Sequence, residues 1–418
     1  MLEAAEIEML AKELEEEGKK FSSKSYDLEL KVRAIVDQQE KNGFSFNLRE
    51  AMSFLATLEE EQHDLENQAQ EMFKPREVQL KTKVKYIPFN IASRKQIAER
   101  LEELGWKPKK KTDKGNVIVS EEILDTINMP EAKMFSRYFL LQKRTGLLKA
   151  WIKECGEDMR VRGRVLTLKT ITGRMAHHSP NMAQVPAVYS PYGKECRELW
   201  TISNPDTHQL VGTDASGLEL RCLAHYMNNA DFTNEVLTGD VHTANQRAAG
   251  LSNRDQAKTF IYAFLYGAGP AKIGKIVGGG TGKGQKLISK FLANMPALRT
   301  LRSNIQEAAQ QGSIPGLDGR RLMIRSEHAA LNTLLQGAGA IVCKQWLVEI
   351  DKRVRKSGLD AKLVASVHDE YQFEVAKPDI NRFTKITKEA MYQTQKVFNF
   401  KCDLDSDYKV GNNWAETH

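Results

Sequence analysis

LVASVHDEYQFEV, residues 363–375, alternates apolar and polar side chains around a central aspartate. Read with a period of two, one face carries Asp369 among six apolar residues, namely Leu363, Ala365, Val367, Tyr371, Phe373 and Val375. The opposite face is mostly polar and holds Ser366, His368, Glu370, Gln372 and Glu374. A bare carboxylate on an apolar face is costly unless a partner compensates its charge. A hairpin turning at His368–Asp369 would expose the carboxylate instead, although Asn-Gly or Asp-Gly is the favoured two-residue turn. Both interpretations stay open on this stretch alone.

The composition is that of a globular protein outside the membrane. The 418 residues allow two or three domains or subdomains, and 41% are apolar. No apolar run could span a bilayer, and the start, MLEAAEIEMLAKELEEEGKK, is acidic and helical, unlike a signal peptide. The five cysteines are scattered and form no CxxC pair. They argue against a disulfide framework and a zinc site, so we expect a reducing cytoplasm and no membrane partner.

Charge is distributed unevenly along the chain. The formal net charge is +7, but residues 72–115 hold thirteen Lys or Arg against five Asp or Glu, including KPKKKTDK at 107–114. Such a run is either a solvated loop or a stripe that follows phosphate backbones.

Periodicity predicts a mostly helical chain with short strands near its middle and its end. Helices are expected over 1–70, with a break at 41–47, and over 121–155, 231–312, 328–356 and 379–397; turns and short strands are expected over 160–210. The glycine-rich VGGGTGKGQK imitates a phosphate loop, but Val277 and Gly284 both break that pattern. We interpret it as a turn between helices.

A second aspartate stands where a strand is followed by a helix. LVGTDASGLEL, residues 210–220, ends a strand on Asp214 and opens a helix soon after. The carboxylate would then satisfy a helix N-terminus, or it would pair with Asp369 on a neighbouring strand. Two adjacent carboxylates are a usual cradle for a divalent cation, and oxygen ligands suit Mg²⁺.

The stretch LSNRDQAKTFIYAFLYG, residues 251–267, is predicted to be a helix capped by Ser252 with Asp255. Arg254, Lys258, Tyr262 and Tyr266 recur every four residues and therefore share one face. Cations near the start and rings further along make a surface for a phosphate and a base, although an ordinary amphipathic helix is the alternative.

Together these stretches resemble the three polymerase motifs of family A DNA polymerases. DASGLELR resembles the first, RDQAKTFIYAFLYG the second and VHDE the third, in the family's order. TGRMAHHSPNMAQVP, GDVHT and HAALNTLLQGAGA add supporting matches over nearly the whole chain. The similarity is greatest to the short phage replicases that recruit host thioredoxin.

The resemblance implies an α+β right-hand polymerase, with an antiparallel-sheet palm, helical fingers and a helical thumb. Residues 1–155 would form the N-terminal helical segment and thumb, 156–224 and 345–418 the palm, and 225–344 the fingers. We expect no 3′–5′ exonuclease domain in this sequence, and no thioredoxin partner, because 72–93 is too short for the thioredoxin-binding insertion. A separately encoded exonuclease and a replication helicase or primase are expected partners, in the cytoplasm of a phage-infected bacterium.

The same resemblance implies the reaction and its residues. A primer 3′-hydroxyl would attack a dNTP, with two Mg²⁺ ions held by Asp214, Asp369 and the backbone carbonyl of Ala215, and with Glu370 as a secondary ligand. Lys258 would act as general acid, and the dNTP would contact Arg254, Lys258, His242, Tyr262, Glu219 and Tyr266. Primer-template DNA would contact Arg174, Asn332, Gln336 and His368.

Two other functions are compatible with the same right-hand fold. A single-subunit RNA polymerase is one alternative, disfavoured by Glu219 and by the FIYAFLYG sequence. A non-catalytic DNA-binding subunit is the other, disfavoured because both candidate metal aspartates are present.

Overall fold

The computed structural model describes residues 12, 13, 15–79 and 83–418. The part of the predicted N-terminal helix at 1–11 and 14 lies outside the described residues. The helices, numbered along the chain, are α1 Ser23–Asn42, α2 Leu48–Met72, α3 Arg94–Glu103, α4 Glu121–Leu124, α5 Pro130–Lys153, α6 Gly193–Glu198, α7 Leu218–Met227, α8 Ala230–Leu237, α9 Val241–Ala249, α10 Arg254–Leu265, α11 Pro270–Ile276, α12 Thr281–Asn294, α13 Pro296–Ala309, α14 Ala330–Ser357 and α15 Ile380–Val397. None of these described helices is long and apolar enough to cross a membrane.

Strands are short and pair in antiparallel fashion wherever a register is defined. They are β1 Phe44–Phe46, β2 Arg76–Gln79, β3 Val84–Ile87, β4 Arg160–Val161, β5 Arg164–Leu166, β6 Ala176–His178, β7 Trp200–Thr201, β8 His208–Ala215, β9 Ser313–Pro315, β10 Arg321–Met323, β11 Ala361–Val367, β12 Glu370–Ala376 and β13 Ser406–Gly411. The mixture of long helices and small antiparallel sheets confirms the α+β class.

The chain divides into two compact units. The first takes the described part of Met1–Phe44 together with Arg162–Gln184 and Thr201–His418, and the second takes Ser45–Val161 and Val185–Trp200. The second unit is a helical body whose core includes Phe73, Phe89 and Phe135. The first unit contains the largest sheet and every predicted site residue.

The four-stranded sheet of the first unit has the order β11-β12-β8-β13. One face packs against helices: Tyr371 donates a hydrogen bond to the carbonyl of Cys343 on α14 at 2.8 Å, and the ring of Phe373 lies 4.8 Å from that of Phe383 on α15. The other face is covered by the segment 412–418, whose Trp414 is fully buried. Both faces are therefore closed.

The 363–375 stretch is a hairpin that turns at His368–Asp369, with Val367 paired to Glu370. The single-face grouping predicted for it is wrong in part. Directly paired residues point to the same side of a sheet, and Ala365 pairs with Gln372 after an irregularity beyond Leu363. Ala365 and Val367 therefore share a side with Glu370 and Gln372, because a turn and an irregularity interrupt the period of two.

A buried ionic cluster joins α1, α14 and the turn before β10. Arg320 lies 2.6 Å from Glu29 and 2.6 Å from Asp318, and Lys344 lies 2.6 Å from Glu29. Lys344 also donates to the carbonyl of Thr167 at 2.8 Å. Four charges that balance one another in a dry site hold these elements in register.

The glycine-rich stretch links two helices as predicted. It runs from the end of α11 to the start of α12, and Gly278 adopts a left-handed φ of 67°. This is a turn that reverses the chain.

Candidate active site

Asp214 and Asp369 lie at the ends of adjacent strands. Glu370 pairs with Asp214 in the β12–β8 register, and the N–H of Ala215 donates to the carbonyl of Asp369 at 3.1 Å. The two predicted metal aspartates and Ala215 therefore lie together at one end of the two central strands. Neither aspartate side chain makes a hydrogen bond or an ion pair with any described residue.

The surroundings of Asp214 disfavour a negative charge. Loss of hydration raises the pKa of Asp214 to about 7, and the carboxylates of Asp369, Glu370 and Asp407 add to the effect. Asp214 keeps access to solvent. The arrangement is therefore a partly dry, accessible carboxylate that a cation would stabilise.

Glu370 points toward other partners. Its Oε1 accepts from Trp414 Nε1 at 2.6 Å and from Gln372 Nε2 at 2.6 Å, and its Oε2 lies 2.7 Å from His418 Nδ1. Burial alone would raise the pKa of Glu370, but the contacts with His418, Trp414 and Gln372 outweigh it and hold the pKa below its usual value. Glu370 is an ionised carboxylate surrounded by donors.

The cap of helix α10 lies one residue later than predicted. Asn253, rather than Ser252, is the cap, and its side chain accepts from the N–H groups of Asp255 and Gln256 at 2.8 and 3.1 Å. Asn253 stands directly before the first helical residue, the position from which a side chain reaches the N–H groups of the first turn.

Arg254 is held by Asp240, for which no sequence pattern predicted a role. Asp240, the cap of α9, accepts from Arg254 Nε at 2.5 Å and from Arg254 Nη2 at 3.0 Å. The two hydrogen bonds from Arg254 are the largest cause of a pKa of Asp240 well below its usual value. The GDVHT stretch thereby fixes the start of α10 relative to α9.

His242 and Tyr262 approach each other, with ring centroids 5.9 Å apart. Burial lowers the pKa of His242, and the positive charges of Arg254 and Lys258 lower it further. The same cations therefore lie close to His242. Lys258 is exposed and Tyr262 is half-buried, so the α10 face is open to a ligand.

Glu219, Tyr266 and Arg174 form a connected group. The hydroxyl of Tyr266 donates to Glu219, and Arg174 Nη2 lies 3.6 Å from the same Glu219 oxygen. Burial raises the pKa of Tyr266, and the hydrogen bond to Glu219 raises it further. A stretch before β6, helix α7 and the end of α10 thus meet at one carboxylate.

A small cavity brings together two of the four residues predicted to contact DNA. Arg174, His368 and Asp369 line it together with Gly339 and Ala340 of α14. Gln336 and Asn332 lie on that helix one and two turns earlier, respectively, and both are partly exposed where most of their neighbours are buried. Neither side chain makes a hydrogen bond with another described site residue, so the role of Asn332 and Gln336 stays a prediction.

Asp407 is a further carboxylate close to Asp214 that the sequence did not predict. It pairs with Asp214 across β13 and β8, and it accepts from Ser216 Oγ at 2.6 Å. Its sequence, DSDYKVG, has no motif that singles it out. Among the described residues, no group of three or more His, Cys, Asp or Glu side chains is gathered closely enough to hold a metal ion.

Comparison with known proteins identifies the family. The model for DNA polymerase family A matches residues 55–416, and the chain belongs to that family. It is 41% identical to the DNA-directed DNA polymerase of Enterobacteria phage T3 and 42% identical to that of Escherichia phage T7, each over 382 residues, 81% of this chain and 54% of the relative. The chain thus spans about half the length of these curated relatives.

A solved structure supports the fold. The polymerase domain of Pol1 from M. smegmatis, determined in complex with a DNA primer-template and dNTP, matches with a TM-score of 0.83 at 19% identity, over 93% of this chain and 70% of that one. The predicted family and polymerase fold are confirmed.

Proposed function

We propose that this chain is a template-directed DNA polymerase that adds dNTPs to a primer 3′-hydroxyl. The observation that carries the proposal is the pair Asp214 and Asp369, which meets at the ends of adjacent strands in a chain of family A. The dNTP and primer-template seen with the M. smegmatis domain are the substrates proposed here.

We assign the thumb to 1–155, the palm to 156–224 and 345–418, and the fingers to 225–344. The four-stranded sheet supports a palm, and α8 to α13 support helical fingers. We place the chain's action in the cytoplasm of a phage-infected bacterium, beside a separately encoded exonuclease and a helicase or primase. The phage relatives support that setting.

The residues at the strand ends fit a hard divalent cation. Asp214, Asp369 and the carbonyl of Ala215 offer only oxygen, and Mg²⁺ prefers few protein ligands, because it keeps waters and substrate phosphates. The raised pKa of Asp214 supports the fit, because a cation would offset the repulsion among neighbouring carboxylates. Two bound Mg²⁺ ions would supply charge neutralisation at the attacking and leaving oxygens.

The α10 face would bind the triphosphate. Arg254 and Lys258 supply positive charge near the start of the helix, where the helix dipole adds to it. Lys258, exposed beside His242, would give a proton to the leaving pyrophosphate. Tyr262 would stack on the incoming base.

Glu219 would distinguish deoxyribose from ribose in the incoming nucleotide. Its carboxylate is fixed by Tyr266 and Arg174, so it cannot easily move aside for a ribose 2′-hydroxyl. Arg174, Asn332 and Gln336 would contact the minor-groove acceptors that every correct pair presents, and His368 would meet the primer end.

Five lysines of the 107–114 stretch would follow duplex phosphates. Lys107, Lys109, Lys110, Lys111 and Lys114 are exposed and form no ion pair with any described residue. By contrast, Arg76 and Arg100, in the same basic segment, pair with Glu103. This stretch therefore offers five unpaired positive charges within eight residues.

Primer extension tests the proposal directly. The purified chain, a labelled primer-template and Mg²⁺ should give template-matched extension with dNTPs and little with rNTPs. Efficient rNTP use would favour the RNA polymerase alternative. Tight primer-template binding without extension would favour a non-catalytic subunit.

A further inference from the structure

The segment 412–418, called here the tail segment, lies on the sheet face that carries Glu370. Trp414 is fully buried and Thr417 is 4% exposed. A Cβ built on Gly212 would stand 2.3 Å from the backbone oxygen of Thr417, and one on Gly411 would stand 2.5 Å from Glu416 Cβ. The glycine at 212 is therefore needed for the tail segment to approach β8, two residues before Asp214.

The tail segment hydrogen-bonds to the strand next to Asp369. Trp414 and His418 contact the two oxygens of Glu370, while Thr417 Oγ1 donates to Gln372 Oε1 at 2.8 Å. An ionised carboxylate only accepts, so His418 Nδ1 must be the donor in its pair. Lys409 in turn donates to the backbone oxygen of His418 at 2.6 Å, which ties the segment to β13.

These contacts end one residue from a strained turn. His368 has a φ of 58°, a left-handed conformation that is unfavourable for a residue other than glycine. A two-residue turn with this conformation persists only when its flanking residues are held. Glu370, the first residue after the turn, is held by three donors, two of them from the tail segment.

We propose that Trp414 and His418 are positioning residues for polymerisation: by fixing Glu370 they hold the turn that presents Asp369 to Asp214. The inference rests on the proposed function and assigns Glu370 a supporting role, because its oxygens are already occupied by N–H donors. Within the described part of the chain, neither Trp414 nor His418 makes a hydrogen bond or ion pair with the side chain of Asp214 or Asp369.

Point variants test the inference in the full chain. Trp414→Phe keeps an aromatic side chain but removes the Nε1 donor and part of the buried indole, and His418→Ala removes the second donor at a side chain that is 33% exposed. Losing one hydrogen bond to a charged group should lower the single-turnover incorporation rate roughly tenfold or more. Primer-template affinity should change less than about twofold, and half-maximal rate should need more Mg²⁺, because Asp369 is less well placed.

Matched controls separate positioning from general packing. Trp151→Phe alters a fully buried tryptophan whose Nε1 has no hydrogen-bond partner among the described residues, and His63→Ala removes an exposed histidine. Both should retain the wild-type rate. Melting temperatures of all four variants show whether any loss reflects unfolding, and added imidazole should partly restore His418→Ala.

A double variant decides whether the two residues act through Glu370. Glu370→Gln with His418→Ala should be no slower than Glu370→Gln alone, because the second change removes a contact already lost. Additive losses, or a wild-type rate and Mg²⁺ requirement in both Trp414→Phe and His418→Ala, would overturn the inference. A wild-type chain that fails to extend a primer would overturn the proposed function itself.

Discussion

We predict that the hydroxyl of Tyr262 decides whether the enzyme distinguishes dideoxynucleotides from deoxynucleotides. Tyr262 lies on the α10 face with Arg254 and Lys258, half-buried beside His242. Its hydroxyl forms no hydrogen bond with any described residue, whereas that of Tyr266, one turn later, is bound to Glu219. Tyr262→Phe therefore removes a group that is free to contact a bound nucleotide and disturbs no internal partner.

The size of the effect follows from one hydrogen bond. A dNTP brings its own 3′-hydroxyl to the site, but a ddNTP does not, so the Tyr262 hydroxyl can replace the missing group. Losing such a bond in a closed, largely dry site costs about 1–3 kcal/mol, or roughly one to two decades in selectivity. We expect the wild type to use ddNTPs at rates close to dNTPs, and Tyr262→Phe to select against ddNTPs by about tenfold or more.

Single-nucleotide incorporation with ddNTP and dNTP in parallel measures that ratio. Tyr226→Phe is a suitable control, because it also removes a buried hydroxyl that lacks a partner among the described residues. An unchanged ddNTP/dNTP ratio in Tyr262→Phe would refute the reasoning and leave Tyr262 as a packed ring.

Two further predictions concern stability and DNA binding. Burial lowers the pKa of Lys344 to about 8 from 10.5, despite the nearby Glu29, so between these values the unfolded chain holds a proton that the folded chain lacks. The free energy of unfolding of the wild type should therefore rise relative to that of Lys344→Met as pH increases from about 8 to 10.5, by roughly 3 kcal/mol. Denaturant unfolding at each pH measures this difference. A difference that does not change with pH would contradict the prediction. Replacing Lys109, Lys110 and Lys111 with Gln should weaken primer-template binding at low salt and reduce the slope of log affinity against log salt by up to about 3. Lys149→Gln, which alters a lysine paired with Glu59, is the control, and an unchanged slope in the triple variant would remove this stretch from the DNA interface.

Local patterns were enough to predict the elements that carry the site. Strand β8 followed by α7, the helix α10 and the long α14 each have a strong signal within their own sequence. The open question about Asp369 is resolved by the β12–β8 register, since pairing Glu370 with Asp214 brings the turn to the end of β8. Shared strand ends, rather than a shared apolar face, bring the carboxylates together.

The burial of the polar side chains of β12 could not be predicted from the sequence of that strand. Alternation placed Glu370, Gln372 and Glu374 on a polar face, yet they are 8%, 1% and 5% exposed. The tail segment, some forty residues later, and the N–H of Ser203 supply the contacts that make this burial tolerable. Local periodicity carries no information about such distant partners.

The same reason explains the missed role of Asp240. Its bidentate contact with Arg254 depends on how α9 packs on α10. Asp240 stands in GDVHT and Arg254 in LSNRDQAKTFIYAFLYG, but neither motif indicates that the two side chains meet. Likewise, Asp407 joins Asp214 only through the β13–β8 register.

The central claim is that Asp214 and Asp369 carry out nucleotide addition while other residues hold the DNA. Single-turnover incorporation by the wild type, Asp214→Asn and Asp369→Asn, with primer-template affinity measured in parallel, tests it most directly. We expect both variants to lose incorporation by more than about a hundredfold while affinity stays within about threefold. Asp231→Asn, at the exposed start of α8, should behave as the wild type. Incorporation by either variant within about tenfold of the wild type would contradict the claim.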